Sequence, residues 1–247
     1  MRKTTKDYLS PHYIHRSNWL RAAVLGANDG ILSTASIAIG VAAASEVRDP
    51  ILLATLAGLV AGALSMAAGE YVSVSSQTDV EQADIEREKQ ELKEMPEMEL
   101  EMLAHIYEER GLKPKTALEV ARQLTEHDAL GAHIRDELGL NEISQAKPLQ
   151  AALASGAAFT FGGLLPFLVA MLLPVKQMVY YQYGFAILFL IILGTIAAKT
   201  GGSSIPKAII RITFWGTVAM GLTALVGHLF VAIVGYIKRG IQQMCYF

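Results

Sequence analysis

The sequence predicts an all-α integral membrane protein: five transmembrane helices, with an acidic helical domain inserted between the second and third. Three observations carry that prediction. Five apolar runs, at about residues 19–44, 51–75, 149–174, 181–198 and 208–236, approach or exceed the roughly 20 residues a helix needs to cross a bilayer. Of the 247 residues 52% are hydrophobic and only 18% charged, with a mean hydropathy of +0.35, so the chain is more apolar than an ordinary soluble domain. The charges are also segregated: residues 79–147 hold 18 of the 23 acidic and 9 of the 21 basic residues, although the net charge is only −2. The chain thus reads as residues 1–78, an N-terminal segment and two spans; 79–148, the acidic domain; and 149–247, three spans and a C-terminal tail.

The first span follows a polar, basic stretch and is longer than the apolar core of a signal peptide. Val41-Ala-Ala-Ala44-Ser45 therefore reads as part of a span rather than a cleavage site. Orientation follows from the positive-inside rule. Arg2, Lys3, Lys6, Arg16 and Arg21 precede or open the first span, against Arg48 alone in the loop after it. That asymmetry places the N-terminus and residues 79–148 in the cytoplasm, and the loop of Lys199 and Lys207 fits the same side. Five spans put the C-terminus outside, where Lys238 and Arg239 run against the rule. Cys245 is the single cysteine, so the chain forms neither an intramolecular disulfide nor a cysteine zinc site.

The first two spans are rich in small residues: Gly26 and Gly30, Gly58 and Gly62, then Ala61, Ser65 and Gly69. Small residues four apart let helix backbones approach closely, which predicts an interface between these two spans. The fourth, with Phe185-Ala-Ile-Leu-Phe-Leu-Ile-Ile192, is bulky and branched and reads as lipid-facing. In the insert, Gln77 to Met95 has neither Gly nor Pro and extends the second span. Pro96 breaks it, Glu97 to Arg110 forms the next helix, and Gly111 with Pro114 ends that one. Thr116-Ala-Leu-Glu119 matches a capping box for a third helix, interrupted around His127-Asp128 and closing near Gly139.

Asp29 and Glu70 are the only acidic residues well inside the spans. An ionisable group in hydrocarbon is expensive, which makes each a candidate for function, with snorkelling to the interface as the plainer alternative. The first two spans run in opposite directions, so Met66 falls at a depth similar to Asp29, with Glu70 one turn nearer the cytoplasm on the same face. Carboxylates with a thioether suit a transition metal better than Mg²⁺ or Ca²⁺, although Met66 alone could simply pack. In the insert Glu81, Asp84, Glu88 and Glu91 line one helix face, Glu99, Met102 and His105 repeat the step of three, and Asp136-Glu137 lies near the end. Such carboxylates could converge on a divalent cation. A solvated helix laced with Arg87, Lys89 and Lys93 explains the same composition. The remaining histidines, His12, His15, His127, His133 and His228, are scattered.

Other chemistries lack their motifs. The insert has no Glu-x-x-His pair of a carboxylate-bridged di-iron oxidase. There is no Gly-x-Ser-x-Gly elbow, phosphate-binding loop or His-Glu-x-x-His, which disfavours a hydrolase or an ATP-driven pump. No basic stripe suggests nucleic acid. The chain does not read as an enzyme.

Two long stretches resemble the vacuolar iron transporters. Trp19-Leu-Arg-Ala-Ala-Val-Leu-Gly-Ala-Asn-Asp-Gly30 is similar to that family's first-span motif. Gly58-Leu-Val-Ala-Gly-Ala-Leu-Ser-Met-Ala-Ala-Gly-Glu70-Tyr-Val-Ser-Val-Ser-Ser-Gln77 is similar to its second. Glu86-Arg-Glu-Lys89 and Glu137-Leu-Gly-Leu140 follow the family's order, and Ile106-Tyr-Glu-Glu-Arg-Gly111 resembles prokaryotic members. The resemblance implies a homodimer in the cell membrane that exports Fe²⁺ or Mn²⁺ from the cytoplasm in exchange for protons, with no permanently bound cofactor. It implies a route along the first two spans through Asp29 and Met66, beside Glu70. It further implies a cytoplasmic metal-collecting site at Glu88, Glu91, Glu99 and Glu137. Met102 stands where a further Glu is expected, and His133-Ile134 about where plant members have paired Met. Those departures predict a weaker site, or one shifted toward softer metals. The rival reading is a membrane metal sensor or scaffold that transports nothing; it leaves Asp29 and Glu70 without a purpose.

Overall fold

The computed structural model describes residues 17–140 and 147–244. The N-terminal residues through Arg16, with His12 and His15, lie outside the described residues, as does Cys245. The regular elements described are all helical: α1 (Ser17–Ala44), α2 (Arg48–Glu94), α3 (Pro96–Glu109), α4 (Pro114–Asp136), α5 (Pro148–Leu172), α6 (Met178–Gly201) and α7 (Ile205–Met244), with a 3-10 turn at Val175–Gln177. They belong to two compact units. One comprises Met1–Tyr71 with Leu149–Phe247, the other Val72–Pro148.

The first unit contains the apolar helices, and among the described residues five helices are long and apolar enough to cross a membrane. Helix α1 is its axis. Ile31, Ala35 and Ile39 pack on Ala186 and Leu190 of α6 and Met220 of α7. Ala38 meets Ile51 of α2, Ala170 of α5 and Met178 of α6. A side chain at Gly26 or Gly30 would strike the α5 backbone at Ser155 and Phe159, and one at Gly162 would strike Ala27. The two α1 glycines therefore seat α1 on α5 and not on the small residues of α2; the expected contact between the first two spans is made instead by Ala38 with Ile51 and by Ile37 with Gly58. Close approach of two backbones needs small residues on both helices, and Gly162-Gly163 supplies the matching face. Helix α2 reaches α1 where Gly58 meets Ile37, and reaches α5 where Gly156 meets Ala63 and Ala67.

Helix α6 also departs from its bulky sequence. Met178, Gln182, Ala186, Leu190, Gly194 and Ala198 are buried at every fourth position, forming one packing ridge. Phe185, Leu188, Ile192 and Ile196 are exposed on the remaining surface, so only part of this helix is free to face lipid. Polar side chains from neighbouring helices donate to carbonyls of α5. Pro166 removes one hydrogen bond inside α5, and the buried Gln182 Nε2 donates to the Pro166 carbonyl at 2.8 Å. Arg48 donates to the carbonyls of Met171 and Leu173, the latter at 2.7 Å, capping the end of α5.

The second unit is built from the later part of α2 with α3 and α4. Helix α2 runs without interruption into the acidic stretch, as the absence of Gly and Pro predicts. It stops at Met95 (φ −136°, ψ 51°), and Pro96 opens α3. Pro114 opens α4 instead of ending α3, two residues ahead of the expected capping box. At the first helical position the missing N–H of proline has no bond to lose, and its fixed φ suits the helix. Asp128 is extended (φ −162°, ψ 89°), and its Oδ1 accepts from the Gly131 N–H at 3.0 Å, so α4 is interrupted and recapped there. Leu103 and Ala104 of α3 pack on Ala121 and Ala132 of α4 to form a small core.

Candidate metal sites

In the first unit a cleft of about 330 Å³ is lined by Asp29 and Ser33 of α1, by Gly58, Gly62, Ser65, Met66, Gly69 and Glu70 of α2, and by Phe159 of α5. Residues 58, 62, 66 and 70 recur at every fourth position, so one face of α2 supplies them. The glycines leave room beside Met66 and Glu70, and the Phe159 ring fills the space a side chain at Gly62 would take. Asp29 is half-buried. Ser33 Oγ donates to the Asp29 carbonyl oxygen within the helix, and among the described residues the Asp29 carboxylate has no hydrogen-bond partner. The sequence singled out Asp29, Met66 and Glu70; all three line this one cleft.

In the second unit Glu88 of α2, Glu99 of α3, His133 of α4 and Glu137 at the end of α4 each offer a ligand atom, all within 4.8 Å of one another. His133 is fully buried, and Glu88 and Glu99 are nearly so. His133 Nδ1 lies 2.9 Å from Glu88 Oε1, 2.9 Å from Glu137 Oε2 and 3.8 Å from Glu99 Oε2. One ring nitrogen carries at most one proton, so it serves one carboxylate at a time. Glu88 Oε1, Glu99 Oε2 and His133 Nε2 accordingly remain buried without a hydrogen bond. Orphaned buried acceptors are costly unless a cation or water satisfies them. Burial pushes the Glu88 and Glu99 carboxyls above the usual range, the Glu137 charge adds to it, and His133 opposes it.

The other candidates stand apart. Glu91 accepts from Arg87 Nε at 3.0 Å and is half-buried; its charge also bears on Glu88 and Glu99. Met102 is 41% exposed. Glu81 accepts from Gln77, and His105 lies 3.6 Å from Glu109 on the surface. The donors brought together are three carboxylates and an imidazole, a hard-to-borderline set fitting Mn²⁺, Fe²⁺ or Co²⁺ rather than softer ions. His133 was not among the ligands read from sequence. Its signal was the His-x-x-x-Glu spacing to Glu137, one helical turn at the end of α4.

Known proteins share much of this sequence. A model of the VIT family matches residues 20–228. A protein of Acanthamoeba castellanii named "Vacuolar iron transporter" is 46% identical over 217 residues, covering 86% of this chain and 79% of its own length. "Vacuolar iron transporter homolog 1" of Oryza sativa subsp. japonica is 36% identical, covering 89% of this chain and 77% of its own length. "VIT-like transporter 1b" of Glycine max is 34% identical, covering 91% and 83%.

Proposed function

The chain belongs to the VIT family, and on that footing we propose that it carries divalent iron, and manganese, out of the cytoplasm in exchange for protons. The observation that carries this reading is the cleft joining Asp29, Met66 and Glu70 on helices long enough to cross a membrane. An ionised carboxylate there holds a partly dehydrated cation; protonated from the acidic side, it releases the cation and keeps the proton. Met66 adds a polarisable sulfur that favours transition metals over Mg²⁺ and Ca²⁺. The names of two relatives, "Vacuolar iron transporter" and "Vacuolar iron transporter homolog 1", support iron as cargo.

On this reading the chain is a multi-pass protein of the cell membrane, with the N-terminus and residues 79–148 in the cytoplasm. Glu88, Glu99, His133 and Glu137 collect metal there before entry, with Glu91 beside them. The family resemblance supports a homodimer, while Leu53, Val60 and Leu64, exposed on the face of α2 away from the cleft, are free to face lipid. The metal is cargo, and the protein does no covalent chemistry. A sensor would need only the acidic unit, whereas Asp29 and Glu70 within the apolar helices favour transport. The test is uptake of Fe²⁺ and Mn²⁺ into proteoliposomes under an imposed pH gradient. Uptake that collapses with the gradient supports exchange, and no uptake by the parent protein favours the sensor.

A further inference from the structure

Tyr107 and Arg110, within the Ile106–Gly111 stretch that the metal chemistry leaves unused, both reach Asp136 at the end of α4. Tyr107 Oη donates to Asp136 Oδ2 at 2.9 Å and Arg110 Nη1 to Oδ1 at 2.6 Å. Arg110 Nη2 donates to the Asp136 carbonyl oxygen at 3.3 Å, closing a free carbonyl at the helix end. The guanidinium also lies 5.1 Å from the centre of the Tyr107 ring. Only 8% of the Asp136 side chain is exposed. Tyr107 and Arg110 are three residues apart at the end of α3, so one face presents both. Gly111 then turns the chain at φ +97°, a conformation that strains other residues.

Asp136 adjoins Glu137 and follows His133 by three residues, so this contact anchors the turn that carries two of the four clustered groups. Among the described residues backbone bonds also close that turn, with the Leu140 N–H donating to the Ile134 carbonyl at 2.9 Å. The N–H groups of Glu137 and Leu138 share the His133 carbonyl, at 2.8 and 3.1 Å. Three carboxylates within 4.8 Å repel one another when no cation lies between them, and a helix end is where such repulsion frays structure most easily. We propose that Tyr107, Arg110 and Asp136 form a clasp that holds the end of α4 in metal-binding geometry before metal arrives. They are positioning residues. The planar fork of arginine makes the contact in two places at once, which a lysine cannot do.

This inference rests on reading Glu88, Glu99, His133 and Glu137 as a metal site, and the experiment separates the two. The full-length protein in detergent is titrated calorimetrically with Mn²⁺, and the component lost in the Glu88→Gln, Glu99→Gln variant is assigned to the site. Arg110→Lys should weaken that component about tenfold, as outer-shell partners of metal ligands do, with its stoichiometry unchanged. Tyr107→Phe should weaken it less. Arg110→Lys added to Asp136→Asn should weaken it less than the two single effects combined. Leu124→Ala loosens the packing of α3 on α4 without touching Asp136, and should lower thermal stability while keeping the parental affinity. Parental affinity in Arg110→Lys, or an affinity loss in Leu124→Ala as large as in Arg110→Lys, would overturn the clasp alone. If the parent has no Mn²⁺ component that the Glu88→Gln, Glu99→Gln variant removes, the metal-site reading and the clasp fall together.

Discussion

His133 Nδ1 lies 2.9 Å from Glu88 Oε1, so a buried imidazole joins the end of α4 to the acidic part of α2. If that imidazole is a ligand, its loss should depend on which metal is bound. Nitrogen donors favour Co²⁺ over Mn²⁺ more strongly than oxygen donors do. His133→Ala should weaken Mn²⁺ binding about tenfold and Co²⁺ binding further, at least the loss typical of outer-shell changes. Competition titrations of the full-length protein measure both. Equal losses for the two metals would instead make His133 a packing residue.

The acidic unit should respond to pH in opposite senses with and without metal. Glu88 and Glu99 have carboxyls raised by burial, so the metal-free fold binds protons that the unfolded chain does not yet bind. The stability this gives is complete below the ordinary carboxylate range and is lost as pH rises through the raised values. Metal binding needs both groups ionised, so affinity should fall with acidification, beginning at a higher pH than for ordinary glutamates. Hydrogen-exchange protection of α3 and α4, corrected for the intrinsic pH dependence, should rise on acidification without Mn²⁺ and fall with it. Protection that falls in both cases would contradict the raised carboxyls.

The membrane helices were legible because length and hydropathy are one-dimensional properties. The α2 extension past Gln77 and the break at Asp128 were legible for the same reason: missing glycine and proline, or a capping residue, act locally. What Gly26 and Gly30 touch was not. Their spacing says that some backbone comes close, but which one depends on the complementary Gly162-Gly163, far along the chain. The acidic cluster was half legible. Glu88, Glu99 and Glu137 stood out as carboxylates, whereas periodicity could not separate buried Glu99 from exposed Met102 three residues later.

The seat of α1 on α5 gives a stability prediction. A Cβ at Gly30 would overlap the Phe159 carbonyl and crowd the Gly163 nitrogen, both backbone atoms that cannot swing away. Gly30→Ala should cost about 1–3 kcal/mol, as overpacking does. Gly221→Ala on α7, with nothing within 4 Å, should be neutral or slightly stabilising. Thermal unfolding of the two variants in the same detergent compares them. Equal stability would mean that α1 and α5 are not in backbone contact.

On the proposed topology of five spans with a cytoplasmic N-terminus in the cell membrane, Cys245 is expected outside the cell. An impermeant thiol reagent should label it on intact cells as fully as after lysis. Labelling only after lysis would mean an even number of crossings or the opposite orientation.

The central claim is that the Asp29 carboxylate carries metal across the membrane and takes a proton in return. Asp29→Asn keeps the shape of the side chain and removes its charge, while Met66→Leu keeps the volume and removes the sulfur. The decisive measurement is the initial rate of pH-driven Fe²⁺ and Mn²⁺ uptake by proteoliposomes carrying the parent or either variant, matched for protein content. Asp29→Asn is expected to fall to the rate of protein-free liposomes, with Met66→Leu slowed less and altered in its Fe²⁺-to-Mn²⁺ ratio; parent-like uptake by Asp29→Asn would contradict the account.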